Sequence, residues 1–151
     1  MCGLAGILCF DPDASVTERE LEPMVAALAP RGPDGTGFHT EPGIGLGHAR
    51  LSIIDLEGGD QPIHNETRTI WTVFNGEIFN YVELRRDLEQ RGHRFYTHTD
   101  TEVIEHLYEE YGDGFATHMN GQFAIALWDR PRRRLLLVRD RPGILPLYFS
   151  R

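Results

Sequence analysis

The chain opens Met1-Cys2-Gly3-Leu4-Ala5-Gly6-Ile7-Leu8-Cys9-Phe10, with a cysteine directly behind the methionine and at the head of an apolar run. Gly3 and Gly6 leave room for close backbone approach, and Leu4, Ile7, Leu8 and Phe10 predict a buried first strand. Loss of Met1 makes Cys2 the N-terminal residue, with a thiol and a free amine on one residue. The thiol is a nucleophile and the amine beside it can act as its base, so a single residue can carry both halves of nucleophilic catalysis. The plainer reading is a core thiol on a first strand, and position alone does not separate the two.

The 151 residues suffice for one domain with a real core, 1–151. The longest apolar runs, such as Phe123 to Trp128, fall far below the roughly 20 residues needed to cross a bilayer, so no membrane association is expected. A basic flank and apolar core of a signal peptide are missing, and Cys2 and Cys9 on one strand make a poor disulfide framework. A cytoplasmic protein with free thiols is therefore expected. The net charge of -8 argues against nonspecific binding of nucleic acid, which depends on neutralising phosphates. All 15 basic residues are arginine. A lysine nucleophile, a Schiff base and a Walker-type phosphate loop are thereby excluded.

Along the chain, Asp11-Pro12-Asp13 reads as a turn. Thr17-Glu18-Arg19-Glu20 fits a capping box, and Leu21, Met24, Val25 and Leu28 at helical spacing predict an amphipathic helix stopped by Pro30. Arg31 to Gly37 is a glycine-rich loop whose arginine is anchored by its neighbours. Residues 43–54 predict one or two strands. Arg50, between two apolar stretches, needs a carboxylate partner from the protein or from a ligand. Residues 55–68 are polar and read as a loop. Ile70 to Phe74 is a strand ending in Asn75-Gly76, which is the strongest short hairpin signal. The same pair, a side-chain amide beside a glycine N–H, could instead hold an oxyanion.

Tyr81 to Arg91 is helical by pattern and His93 to Tyr96 a short strand. Thr99-Asp100-Thr101-Glu102 fits a second capping box, opening a helix with Val103, Ile104, Leu107, Tyr108 and Tyr111 on its apolar face. Asp100 in its first turn is favoured by the helix dipole. Three strands follow at 121–128, 134–139 and 144–149, the first two joined by a hairpin turn in the basic run Arg130 to Arg134. The seven histidines follow no metal-site spacing, so no metal site is expected, and most read as surface or loop residues.

Taken in order, Cys2-Gly3, Arg31-Gly32-Pro33-Asp34, His48 to Asp55, Phe74 to Asn80, Thr99 to Ile104, Asn120 to Ala124 and Arg139-Asp140-Arg141 form a set of blocks spanning nearly the whole chain. They resemble the class II glutamine amidotransferase domain, and within that class the glutaminase domain of glutamine-hydrolysing asparagine synthetases. The resemblance implies an α+β fold, the four-layer αββα sandwich of two antiparallel sheets of the N-terminal nucleophile hydrolases. It implies Cys2 as the nucleophile toward L-glutamine, with its own α-amine as base. Asn75 and Gly76 match the oxyanion hole, Arg50 the residue that binds the α-carboxylate, and Asp100 the one that binds the α-ammonium. Glu77 and the backbone around Ile53 match further glutamine contacts. Free glutamine carries one carboxylate, one ammonium and one amide, and the chain supplies a group for each.

The family likeness also implies a C-terminal synthetase domain that binds ATP and Mg²⁺ and passes the ammonia to an activated aspartate. This domain itself is expected to need no cofactor, and the likeness leaves room for a homodimer. Two departures stand out. Leu145 occupies a position where many relatives carry lysine. The chain also stops at Arg151, before the usual end of such a domain and without the Ser-Gly-Gly-x-Asp-Ser loop of the synthetase part, so a C-terminal truncation is expected. Other readings are the same glutaminase step serving a different acceptor (a secondary metabolite, a peptide or a polysaccharide) and a non-catalytic truncated domain.

Overall fold

Small and large side chains alternate along Ile44–Arg50, and this alternation sets the layering of the molecule. In a computed structural model, which describes residues 1–11, 13–55 and 58–151, this strand is buried along its whole length. A Cβ on Gly45 would lie 2.5 Å from Val16 and 2.9 Å from Leu21, and one on Gly47 would lie 2.6 Å from Val25. Glycine on that face lets a helix settle directly on the sheet. On the opposite face, Ile44 and Leu46 pack with Val73, Ala126 and Trp128 of a second sheet.

The elements in chain order are β1 (Gly3–Leu8), α1 (Glu18–Ala27), β2 (Gly35–Glu41), β3 (Ile44–Arg50), β4 (Ile63–His64), β5 (Ile70–Ile78), α2 (Tyr81–Gln90), α3 (Val103–Tyr111), β6 (Gly121–Asp129) and β7 (Arg134–Arg139). A 3₁₀ segment, Gly112–His118, follows α3. One antiparallel sheet has the order β1-β3-β2 and the other β4-β5-β6-β7. Helix α1 lies on the first sheet through Val25 and Leu28 against Ala5 and Ala49. Helix α3 lies on the second through Ile104, Leu107 and Tyr108 against Ile70, Phe74, Ile78, Ile125 and Leu127. The order helix, sheet, sheet, helix is the expected αββα sandwich.

Several local expectations hold. The Glu20 carboxylate accepts from the Thr17 N–H at 2.9 Å and from its hydroxyl at 2.8 Å, closing the start of α1. The basic run turns between β6 and β7, with Arg133 at φ 48° and Arg134 paired to Asp113 at 2.8 Å. Pro12 of the proposed Asp11–Asp13 turn, and Leu56 and Glu57 of the 55–68 loop, lie outside the described residues.

Others are corrected. Asn75-Gly76 is no hairpin turn: β5 runs straight through it, with Asn75 opposite Ala124 and Gly76 opposite Phe123. Glycine is needed there because a Cβ would sit 2.2 Å from the Gln122 carbonyl oxygen. Strand β3 stops at Arg50, short of Ile54, while β2 begins at Gly35 inside the expected loop and β4 lies inside the 55–68 loop. His93 to Tyr96 is not a strand, since carboxylates take its backbone donors. Glu66 accepts from Arg94 N at 2.7 Å, and Glu102 from Tyr96 N at 2.7 Å. The second capping box does not form either. Glu102 turns toward Thr97, accepting from its N–H at 2.7 Å and its hydroxyl at 2.6 Å. Residues 144–149 form no strand: Pro142 and Pro146 lack the ladder N–H, and Gly143 has φ 70°.

Candidate active site

Cys2 precedes β1 at the end of the first sheet, where β3 also ends. Its sulfur accepts from the Leu51 N–H at 3.3 Å and its thiol faces the Leu51 carbonyl at 3.6 Å. The Arg31-Gly32-Pro33-Asp34 block braces this corner. Arg31 Nε donates to the Cys2 carbonyl at 3.2 Å, Asp34 N–H donates to the Arg50 carbonyl at 2.9 Å, and the Asp34 carboxylate accepts from Ser52 N–H at 2.8 Å. A Cβ on Gly32 would lie 2.2 Å from the Ala49 carbonyl oxygen, so only glycine lets the loop close onto β3.

One cavity is lined by all seven residues singled out in the sequence: Cys2, Arg50, Ile53, Asn75, Gly76, Glu77 and Asp100. Cys2 and Arg50 come from the end of the first sheet, Asn75 to Glu77 from β5 of the second, and Asp100 from the turn before α3. Arg50 is buried and donates to Asp60 Oδ1 at 2.9 Å and to the Asp55 carbonyl at 2.5 Å. Gly59 gives it space, because a Cβ there would approach its Nη2 to 2.5 Å. Asn75 is buried, and its Oδ1 has no hydrogen-bond partner among the described residues. An unpartnered buried amide oxygen costs about 1–3 kcal/mol, a cost expected where a ligand rather than the fold uses the group. Ile53 is 71% exposed and offers the cavity a rim rather than a floor.

Asp100 is buried and accepts from Ile78 N–H at 2.9 Å, which ties it to the end of β5. Burial pushes its carboxyl up to about 6, and the nearby Glu77 charge adds to this, against the pull of the backbone donors. A cationic group docked beside it would favour its ionised form.

Leu51, Ile54, Gly59, Gln61, Phe74, Thr99, Thr101 and Gln122, given no role from the sequence, complete the wall together with Met1 and Leu145. Gln61 Oε1 accepts from Phe74 N–H at 2.6 Å, fixing the strand one residue before Asn75. Leu145 is buried and held by the Arg139-Asp140 block: Arg139 Nε donates to its carbonyl at 2.5 Å and Asp140 Oδ2 accepts its N–H at 3.3 Å. The departure from lysine at this position thus places an apolar side chain at the cavity edge. Burial works against the Asp140 carboxylate, but donors from Ile144, Phe123, Leu145 and Gly143 outweigh it and hold the group below the usual range. His48, one strand position before Ala49, is fully buried and bonds through Nε2 to the Phe74 carbonyl at 3.2 Å, linking the two sheets beside the site.

The histidines are less scattered than their spacing suggests. His48 and His106 are fully buried, contrary to the surface reading, and His93 and His106 stand beside Glu66 and Glu109 on the far side of α3. Among the described residues no helix is long and apolar enough to cross a membrane.

A family model described as the glutamine amidotransferase domain matches residues 1–151. Glutamine-hydrolyzing asparagine synthetase 2 of Bacillus subtilis is 45% identical over 99% of this chain, and asparagine synthetase 3 of Arabidopsis thaliana is 42% identical over 99%. The chain spans only 20% and 26% of those two proteins. Among solved structures, the glutamine phosphoribosylpyrophosphate amidotransferase of B. subtilis, complexed with ADP and GMP, aligns with a TM-score of 0.52 at 20% identity. It covers 84% of this chain and 29% of its own, and at that identity the likeness is one of fold. Block order, two-sheet fold and whole-chain match agree, and the chain belongs to the glutamine amidotransferase domain family.

Proposed function

We propose that this domain hydrolyses L-glutamine to glutamate and ammonia, with Cys2 as nucleophile once Met1 has been removed. The observation that carries the reading is the convergence of Cys2, Arg50, Asn75, Gly76 and Asp100, from four separate segments, on one cavity. Arg50 binds the α-carboxylate and Asp100 the α-ammonium, with Glu77 and the Ile53 backbone as further contacts. Pinned at that end, the substrate presents its side-chain amide to Cys2.

The α-amine of Cys2 takes the thiol proton as sulfur attacks the amide carbon. The carbonyl oxygen becomes an oxyanion, held by the Asn75 side-chain amide and the Gly76 N–H. Collapse breaks the carbon–nitrogen bond and the amine returns its proton to the departing ammonia. Water then attacks the γ-glutamyl thioester, giving glutamate and restoring the thiol. Met1, while attached, occupies the nitrogen that acts as base, so its removal switches the site on.

The names and lengths of the relatives support placing the domain within a longer asparagine synthetase, whose synthetase part would bind ATP and Mg²⁺ and consume the ammonia on an activated aspartate. Incubation with a diazoketone analogue of glutamine tests the nucleophile. The processed protein gains one adduct by mass on Cys2, and Cys2→Ala gains none. Equal labelling of Cys2→Ala overturns the assignment.

A further inference from the structure

Away from the glutamine cavity, four side chains converge behind α3. Glu66 comes from the turn between β4 and β5, His93 from the segment after α2, and His106 and Glu109 from successive turns of α3. Their ligand atoms all lie within 4.8 Å of one another. His106 Nδ1 is 3.1 Å from Glu109 Oε2 and 3.7 Å from Glu66 Oε2, and His93 Nδ1 is 3.5 Å from Glu109 Oε2 and 3.8 Å from Glu66 Oε1. A tetrahedron with metal–ligand bonds of about 2.0–2.1 Å has edges of about 3.3–3.4 Å. The four pairs at 3.1–3.8 Å bracket that spacing, and the widest pair must close from 4.8 Å.

The surroundings point the same way. Both imidazoles turn Nδ1 toward the centre and Nε2 toward a carboxylate: His93 Nε2 lies 3.1 Å from Glu110 and His106 Nε2 lies 3.8 Å from Glu102. At His93 the carboxylate behind Nε2 fixes the tautomer that leaves Nδ1 free to ligate, whereas at His106 the proton that Nδ1 shares with Glu109 must leave as the metal binds. Asn65 Nδ2 donates to Glu109 Oε1 at 2.7 Å, leaving Oε2 for the centre. His106 is fully buried, which holds its ring in place beside Glu109. Two glutamates balance a dication once His106 has given up the proton that its carboxylate neighbours favour, and mixed imidazole and carboxylate donors suit zinc and its borderline neighbours.

We propose that Glu66, His93, His106 and Glu109 form a tetrahedral site for Zn²⁺ or a similar transition-metal dication, distinct from the glutamine cavity. The ion ties the β4–β5 turn and the segment after α2 to helix α3. Its role is structural, because four protein ligands leave no open position.

The test uses the Cys2→Ala chain, so that an N-terminal thiol and amine do not capture the metal. After stripping with a chelator, calorimetric titration with Zn²⁺ should give one ion per chain with a raised Tm. Co²⁺ should give the intense visible absorption of four-coordination. Glu66→Gln, at an exposed position, should weaken binding at least about 100-fold, as should His93→Ala. No stoichiometric binding, or binding weakened less than tenfold in both variants, overturns the proposal.

Discussion

The buried guanidinium of Arg50 meets the carboxylate of Asp60 at 2.9 Å, yet 80% of the Asp60 side chain is exposed. Such a half-exposed pair adds at most about 1 kcal/mol to stability. Asp60 presents to Arg50 the same charge as the α-carboxylate assigned to it, so the two compete. Asp60→Asn should lower the KM for glutamine by up to about fivefold, the factor carried by about 1 kcal/mol, with kcat unchanged. A raised KM would mean that Asp60 holds the guanidinium in its binding pose.

Arg50→Ala and Asn75→Ala should separate binding from chemistry. Arg50→Ala raises KM with a smaller effect on kcat. Asn75→Ala lowers kcat by about 10²- to 10³-fold, since it removes one oxyanion donor. Steady-state kinetics of the two variants check the roles, and the reverse pattern would exchange them.

Gly76→Ala should fail for a different reason. Its Cβ would lie 2.2 Å from the Gln122 carbonyl and 2.8 Å from the Phe123 backbone, neither of which can move without opening β5 from β6. Thermal unfolding should show a lowered Tm, reflecting the stability cost typical of overpacking, about 1–3 kcal/mol. A Tm equal to that of the parent would mean that the strands part more easily than their pairing suggests.

Asp100 sets an acid limb. Burial raises its carboxyl to about 6, so below that pH the group is neutral and no longer attracts the substrate ammonium. The kcat/KM for glutamine should fall as pH drops through about 6, and Asp100→Asn should be slow at every pH with that limb gone. A limb that persists in Asp100→Asn would belong to another group.

His48 works on stability instead. Burial, with Arg50 adding to it, holds the ring down to about 4 despite its bond to the Phe74 carbonyl. The unfolded chain takes up a proton near 6.5, where the folded ring stays neutral, so the neutral ring's stability is full above 6.5 and lost as pH falls toward 4. His39, also held near 4 chiefly by burial, has the same sign, whereas the raised Asp100 has the opposite sign. His48→Gln, which can keep a donor to Phe74, should therefore flatten the loss of Tm between pH 6.5 and 4 relative to the parent. Parallel curves would mean that His48 titrates normally.

The candidate site was legible because each group proposed for it stands in a short block with its own local requirement, and the fold brings these blocks to one cavity. Cys2 heads its strand, Arg50 ends one, and Asn75 and Gly76 share a turn-like dipeptide. The same dipeptide misled as secondary structure, because the contact that demands glycine comes from Gln122, 46 positions away. Gln61 and Leu51 carry no signal at all, since they act on or through backbone bonds. His93 and His106 escaped notice for a similar reason: His106 meets Glu109 within α3, but Glu66 and His93 join them only after the chain has folded. The false strands at 93–96 and 144–149 look apolar, but Glu66, Glu102 and Asp140 capture their backbone donors.

Because Cys2 and Arg50 belong to one sheet and Asn75 and Gly76 to the other, the distance between nucleophile and oxyanion donors is set by the layer of Ile44, Leu46, Val73, Ala126 and Trp128 and by the His48 bridge. Turnover is then a gauge of that layer's thickness. Swelling of the inter-sheet core by a fraction of an ångström, with every strand and helix still intact, should silence the proposed glutaminase step before any loss of secondary structure can be seen.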